Sequence, residues 1–165
     1  YKRQELKEIF QVLSALDTLA ADLVVDFLSS EDLKDIESLT AEMESRCTLD
    51  SIEKYMAINR DIHDKIWESL PNKFLKYTLK YVTEQFLRYN YARIYAFQKP
   101  GVLRRSMNEH KKILQALRER DKHQLRTLLS NHWGSLLQPS PFADGLKEYL
   151  NNNSKEVRIR EKKYV

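Results

Sequence analysis

An all-α bundle of six or seven helices is the fold class that this sequence predicts, and three observations predict it. Apolar residues recur at spacings of three and four nearly everywhere, whereas the strict alternation of a half-buried strand is absent. Only 3 Gly and 4 Pro occur in 165 residues, so sharp turns are few and long helices are favoured. Hydrophobic residues make up 42% and charged residues 32%, which suits one compact domain with a real core.

The first helix is carried by "LKEIFQVLSALDTLAADLVVDFL", where Ile9, Leu13, Leu16, Ala20, Leu23 and Phe27 form one stripe. The second starts at Ser30, read as its N-cap with Asp32 in the first turn, and carries Leu33, Ile36, Leu39 and Met43. Asp50 or Ser51 caps a third helix with Tyr55, Ile58, Ile62, Ile66 and Leu70. Pro71 ends it, and Asn72 opens a fourth, aromatic-rich helix through Phe74, Tyr77, Tyr81, Phe86 and Tyr89 that runs to "FQKPG". Pro100 suits the first turn of a fifth helix, "LRRSMNEHKKILQALRER". Asp121 caps a sixth, "KHQLRTLLSNHWGSLL", and "FADGLKEYL" is a short seventh that Gly145 weakens. Residues 1–150 are thus read as the domain, and 151–165 as a polar tail.

Several functions are disfavoured by composition. The net charge of +4, from 28 basic and 24 acidic residues, is too mild and too dispersed for a nucleic-acid surface. The aromatic run "YVTEQFLRYNYARIYAF" has arginines interleaved, as a base-stacking platform would, but its helical spacing reads as core or dimer interface. The single cysteine, Cys47, fits a small half-buried hydrophobe and a reducing, cytoplasmic setting. No run approaches the roughly 18 apolar residues of a membrane span, and the opening "YKRQELKEIF" has no secretory h-region. It also lacks Met, so the chain is read as a domain cut from a longer protein.

Candidate chemistry rests on the histidines. In "NRDIHDKIW", Asn59 and His63 lie four apart and share one helix face, while Asp61 and Asp64 point elsewhere. His110 leads Ile113, Leu114 and Leu117 on the fifth helix, and His132 follows Leu125, Leu128 and Leu129 on the sixth. Three imidazoles on the inner margins of three helices can converge inside a bundle, where metal and ligand sites are built. Neutral imidazoles bind transition metals, and Asn59 can add an oxygen. Core histidines satisfied by hydrogen bonds, or an acid–base pair, fit the same spacing. His123, in a first turn beside Lys122 and Gln124, is read as surface.

The stretch "NEHKKILQALRERDKHQLRTLLSNH", residues 108 to 132, resembles the signature of the FCD domain, the effector-binding domain of FadR-type GntR-family transcription regulators. That signature is E-H-x-x-I-x-x-A-L, then an Asp and a histidine eleven residues after it, matched by Glu109, His110, Ile113, Ala116, Leu117, Asp121 and His132. An upstream element, D/N-x-x-F-H-x-x-I, is matched by Asn59, Ile62, His63 and Ile66. "KPG" at 99–101 resembles a family loop, and "VLSALDTLAADLVV" the opening helix, so the resemblance spans about residues 5 to 138. It implies an antiparallel all-α bundle with a central cavity, and a divalent transition metal (Zn, Ni or Mn) held by Asn59, His63, His110 and His132. It further implies a small organic acid as effector and a homodimer. DNA would be bound only through an N-terminal winged helix-turn-helix domain, which this chain does not show.

The chain departs from the family pattern in three places. Asn59 stands where many members have Asp, Ile62 replaces Phe, and Leu13 stands where the opening helix commonly carries an arginine. An effector carboxylate would need another cation, and Arg88 and Arg93 are the candidates. Two other function classes compete: a metal-dependent hydrolase, and a structural helical adaptor. The hydrolase needs a positioned general base, and Glu109, beside His110, is expected to point to a different part of the helix.

Overall fold

Eight α-helices and no strand make up the regular structure of the residues that the computed structural model describes, 2–134 and 138–153. They are α1 Lys2–Phe27, α2 Ser30–Ser45, α3 Ile52–Glu68, α4 Lys73–Leu87, α5 Asn90–Phe97, α6 Val102–Glu119, α7 Lys122–Gly134 and α8 Pro141–Asn152, with one 3₁₀ turn at Leu49–Ser51 before α3. None of them is long and apolar enough to cross a membrane. Residues 135–137, the predicted end of the sixth helix, and 154–165 of the predicted tail lie outside the described residues.

Helix starts follow local chemistry. Ser29, not Ser30, caps α2: its hydroxyl accepts from the Asp32 N–H at 3.0 Å, and the Asp32 carboxylate accepts from the Ser29 N–H at 3.3 Å. This is a capping box, in which Asp32 at the third helical position satisfies the cap in return. Asn72 caps α4 through the Leu75 N–H, and Asp121 accepts from the Gln124 N–H at 2.9 Å at the start of α7. Pro100 lies before α6 rather than in its first turn. Gly101 is the cap residue, at φ 78°, a left-handed conformation that costs glycine little.

The predicted fourth helix is two helices. It breaks at Arg88–Tyr89, and the new direction buries Tyr89, Ala92, Arg93, Ala96 and Phe97. Tyr89 is held across the break by its hydroxyl, which donates to Glu5 of α1 at 2.7 Å. The aromatic stripe divides accordingly: Phe86 and Tyr89 are core, whereas Phe74, Tyr77 and Tyr81 are exposed. Phe27, predicted on the inner stripe of α1, is also exposed, while the stripe's inner members Ile9, Leu13 and Ala20 are buried.

Helix α1 is the spine of the bundle, packed against α7 and α4; α2 lies against α3 and α6, α6 against α7, and α5 against α8. The end of α1 is tied down by Arg120, whose guanidinium donates to the carbonyls of Val25 and Leu28 at 2.5 and 2.8 Å. Those carbonyls belong to the last turn, where intrahelical partners run out.

Gly145 is a packing device rather than a helix breaker. A Cβ there would stand 2.8 Å from the Ala96 Cα and 3.0 Å from the Lys99 Cγ, so glycine lets α8 approach α5. Gly145→Ala is expected to lower stability by about 1–3 kcal/mol through overpacking, although alanine is the better helix former by about 1 kcal/mol. Thermal denaturation of the two proteins decides which effect wins.

Candidate functional site

The helices enclose a cavity of about 320 Å³, the small end of the range for small-molecule sites. His63 and His132 line its polar base, and the ring of His110 packs against both. His63 comes from α3, His110 from α6 and His132 from α7, with one ligating nitrogen of each within 4.8 Å of the others. His63 and His110 are buried and His132 is half-buried. Ring centroids are 5.3 Å apart for His63–His110, 5.1 Å for His63–His132 and 4.9 Å for His110–His132. Asn59, one turn before His63, lines the same cavity. His123 is on the surface.

Neighbouring groups orient the rings. His110 Nδ1 lies 2.8 Å from the Ser106 carbonyl, an obligate acceptor, so Nδ1 carries the proton and Nε2 presents its lone pair. That Nε2 is 3.3 Å from His63 Nε2. The spacing suits hydrogen-bonded imidazoles; it is also roughly the edge of a coordination tetrahedron with 2.0–2.1 Å bonds. His63 Nδ1 is buried and has no hydrogen-bond partner. His132 Nδ1 donates to the Glu109 carboxylate at 3.1 Å, the arrangement in which a carboxylate orients a ligating histidine. Glu109 is therefore at the site and not turned away from it, because the crossing of α6 and α7 brings His132 to its side. The Arg105 Nε, 3.0 Å away, holds its other oxygen.

Electrostatics keep the two deeper imidazoles neutral. Burial pushes the His63 pKa well below its usual value, and the neighbouring His132, His110 and Arg93 add to that. Burial, reinforced by His132, lowers His110 to about 3. Hydrogen-bonded and charged partners, His132 and Arg105, pull Glu109 below the usual carboxylate range against its own burial. Neutral imidazoles are the protonation state that metal coordination needs, and His110 presents its Nε2 lone pair toward His63. The donor set fits a borderline transition metal, and Asn59 adds no charge to it.

The two candidate arginines part company. Arg93 is 4% exposed and lines the cavity, with its guanidinium 4.4 Å from the centroid of the Phe86 ring. Burial lowers its pKa to about 10. Arg88 lies outside the cavity, hydrogen-bonded to Gln85 at 3.2 Å and 4.0 Å from Glu5. Leu13 is fully buried in the core. Asp61 pairs with Arg60 on the surface, away from the histidines.

Sequence reasoning missed one residue at the base of the site. Asp17 on α1 is fully buried, and its two carboxylate oxygens accept the indole N–H groups of Trp67, at 2.6 Å, and Trp133. Both indoles flank His63, with centroids 5.6 and 5.4 Å away. The sequence signal was an acid on the apolar stripe of the first helix, four residues after Leu13 and three before Ala20.

Fold and site together define an all-helical domain built around an internal cavity with a histidine cluster at its base. The family model described as "FCD domain" matches residues 8–135, and the chain belongs to that family. No curated protein matches it in sequence.

Proposed function

We propose that this chain is the ligand-sensing, dimerising domain of a GntR-family transcription regulator, and that a small organic acid binds in its cavity. Three clustered imidazoles, two of which line the cavity, carry the reading. His63, His110 and His132 would hold a divalent transition metal such as Zn, Ni or Mn, with Asn59 as a neutral fourth ligand. The metal supplies open positions for an oxygen ligand. This chain's residues do the rest: Ser106 and Glu109 orient imidazoles, the indoles exclude water, and Arg93 offers a cation to a carboxylate. Membership of the FCD family supports the regulator reading, since FCD domains belong to transcription regulators. An acid that binds one arrangement of the protein better shifts the population toward it, and DNA is reached through an N-terminal domain.

An exposed strip supports the homodimer. Val12 and Leu19 of α1 and Phe74, Tyr77 and Tyr81 of α4 are exposed on two helices that pack together. The hydrolase reading is less favoured, since the Glu109 carboxylate is already engaged by His132 and Arg105.

Elemental mass spectrometry of purified protein tests the metal. It should find about one transition-metal ion per chain, and a His63→Ala, His110→Ala double variant should hold none. Added Zn, Ni or Mn should raise the melting temperature of the wild type only. Metal-free protein whose melting temperature ignores all three ions would refute the metal-bound reading.

A further inference from the structure

The cavity has further polar groups on its α4 and α5 walls, Thr83 and Arg93. Arg93 is buried, its Nε has no hydrogen-bond partner, and no carboxylate among the described residues pairs with it. Thr83 sits one turn before Phe86 on α4, is 8% exposed, and its Oγ1 likewise has no partner. Both line the cavity, and Phe86 lies beneath the guanidinium. Burying a charge and a hydroxyl without partners is costly, so these two groups are built for an acceptor that arrives from outside. A carboxylate meets that need, because it accepts from a guanidinium fork and a hydroxyl together.

The remaining walls restrict what the carboxylate is attached to. Trp67, Phe86, Phe97, Trp133 and Phe142 face the same space. Two other polar groups there are already engaged: the Ser140 hydroxyl caps α8 through the Ala143 N–H at 3.1 Å, and Glu109 is held by His132 and Arg105. Hydroxyls on a ligand body would be buried against rings, whereas an apolar body gains from them.

We infer that the Arg93–Thr83 pair is the carboxylate site of an acid with an aromatic or other apolar body, and that it binds without help from the histidine cluster. This rests on the effector-binding reading above and names the class of effector. Calorimetry and thermal shift on chelator-treated protein test it, with phenylacetate, its neutral amide phenylacetamide, citrate and gluconate as probes. Phenylacetate should bind and raise the melting temperature, with the amide, citrate and gluconate each about tenfold weaker or more. Arg93→Met should weaken phenylacetate about ten- to a hundredfold, and Thr83→Val and Arg93→Lys by smaller factors. Should Arg93→Met fail to fold, those last two variants carry the test. Chelator-treated wild type should bind phenylacetate as tightly as protein given Zn, Ni or Mn. Absent binding of millimolar phenylacetate, binding only with metal present, equal binding of the amide, tighter binding of citrate or gluconate, or wild-type affinity in the Arg93 and Thr83 variants would each overturn it. A protein that ignores metals but binds phenylacetate through Arg93 would lose the metal reading and keep this one.

Discussion

Asp17→Ala is expected to cost about 3–5 kcal/mol of stability, the largest effect of any single polar substitution at the site. The change leaves two buried indole N–H groups, of Trp67 and Trp133, without an acceptor, each at a cost of about 1–3 kcal/mol. It also leaves a cavity at a fully buried position of α1. Burial pushes the Asp17 carboxyl up, while the two indole hydrogen bonds and the nearby His132 pull it down. Asp17→Asn keeps one acceptor oxygen, so about half the loss is expected. Chemical denaturation measures both. Because the chain has only 2 Trp, and Asp17 holds both, the fluorescence of the folded variant should shift with the indoles' freedom. Wild-type stability in Asp17→Ala would show that the two indoles find other acceptors.

The second large effect is acid sensitivity. His63 and His110 are buried with pKa values lowered below 6.5, so the unfolded chain binds more protons than the native one as pH falls. Their contribution is fully present above about pH 6.5 and is lost below it, by about 1.4 kcal/mol per pH unit for each imidazole. For His110 the loss continues down to about pH 3. Glu109, whose pKa is lowered, adds to the loss at lower pH, whereas Asp17, whose pKa is raised, opposes it. Two imidazoles outweigh one carboxyl. In chelator, the unfolding free energy should fall by roughly 4 kcal/mol between pH 7 and pH 5. His63→Phe, His110→Leu protein should show a much flatter profile; an equally steep one would place the titrating groups elsewhere.

Much of the site was legible because it sits on regular helices. Asn59 and His63 share a face by helical spacing, and His110 and His132 each lie at the edge of an apolar stripe. Glu109 was misjudged for the complementary reason. Its position relative to His110 follows from helix geometry, but its partner, His132, lies 23 residues away on another helix. The cap of α2 was local and readable: an acid, Asp32, stands three residues after Ser29 as a capping box requires, whereas Leu33 stands three after Ser30. The break at Arg88–Tyr89 carries no Pro or Gly to announce it. It exists because turning the chain there buries Tyr89, Ala92 and Phe97, a gain that appears only once α1 and α8 are in place.

The sequence by itself determined that this protein is a helical bundle of the FCD family with three inward histidines, since helical periodicity and motif spacing are properties of neighbours along the chain. Tertiary structure decided which arginine enters the cavity. Arg88 and Arg93 lie five residues apart in one aromatic run, and only the turn between α4 and α5 sends Arg93 inward and leaves Arg88 beside Glu5. It also decided that Asp17 holds two indoles from residues 50 and 116 positions away. Burial and hydrogen bonding between distant helices depend on how the helices cross, and no periodicity within one helix encodes that crossing.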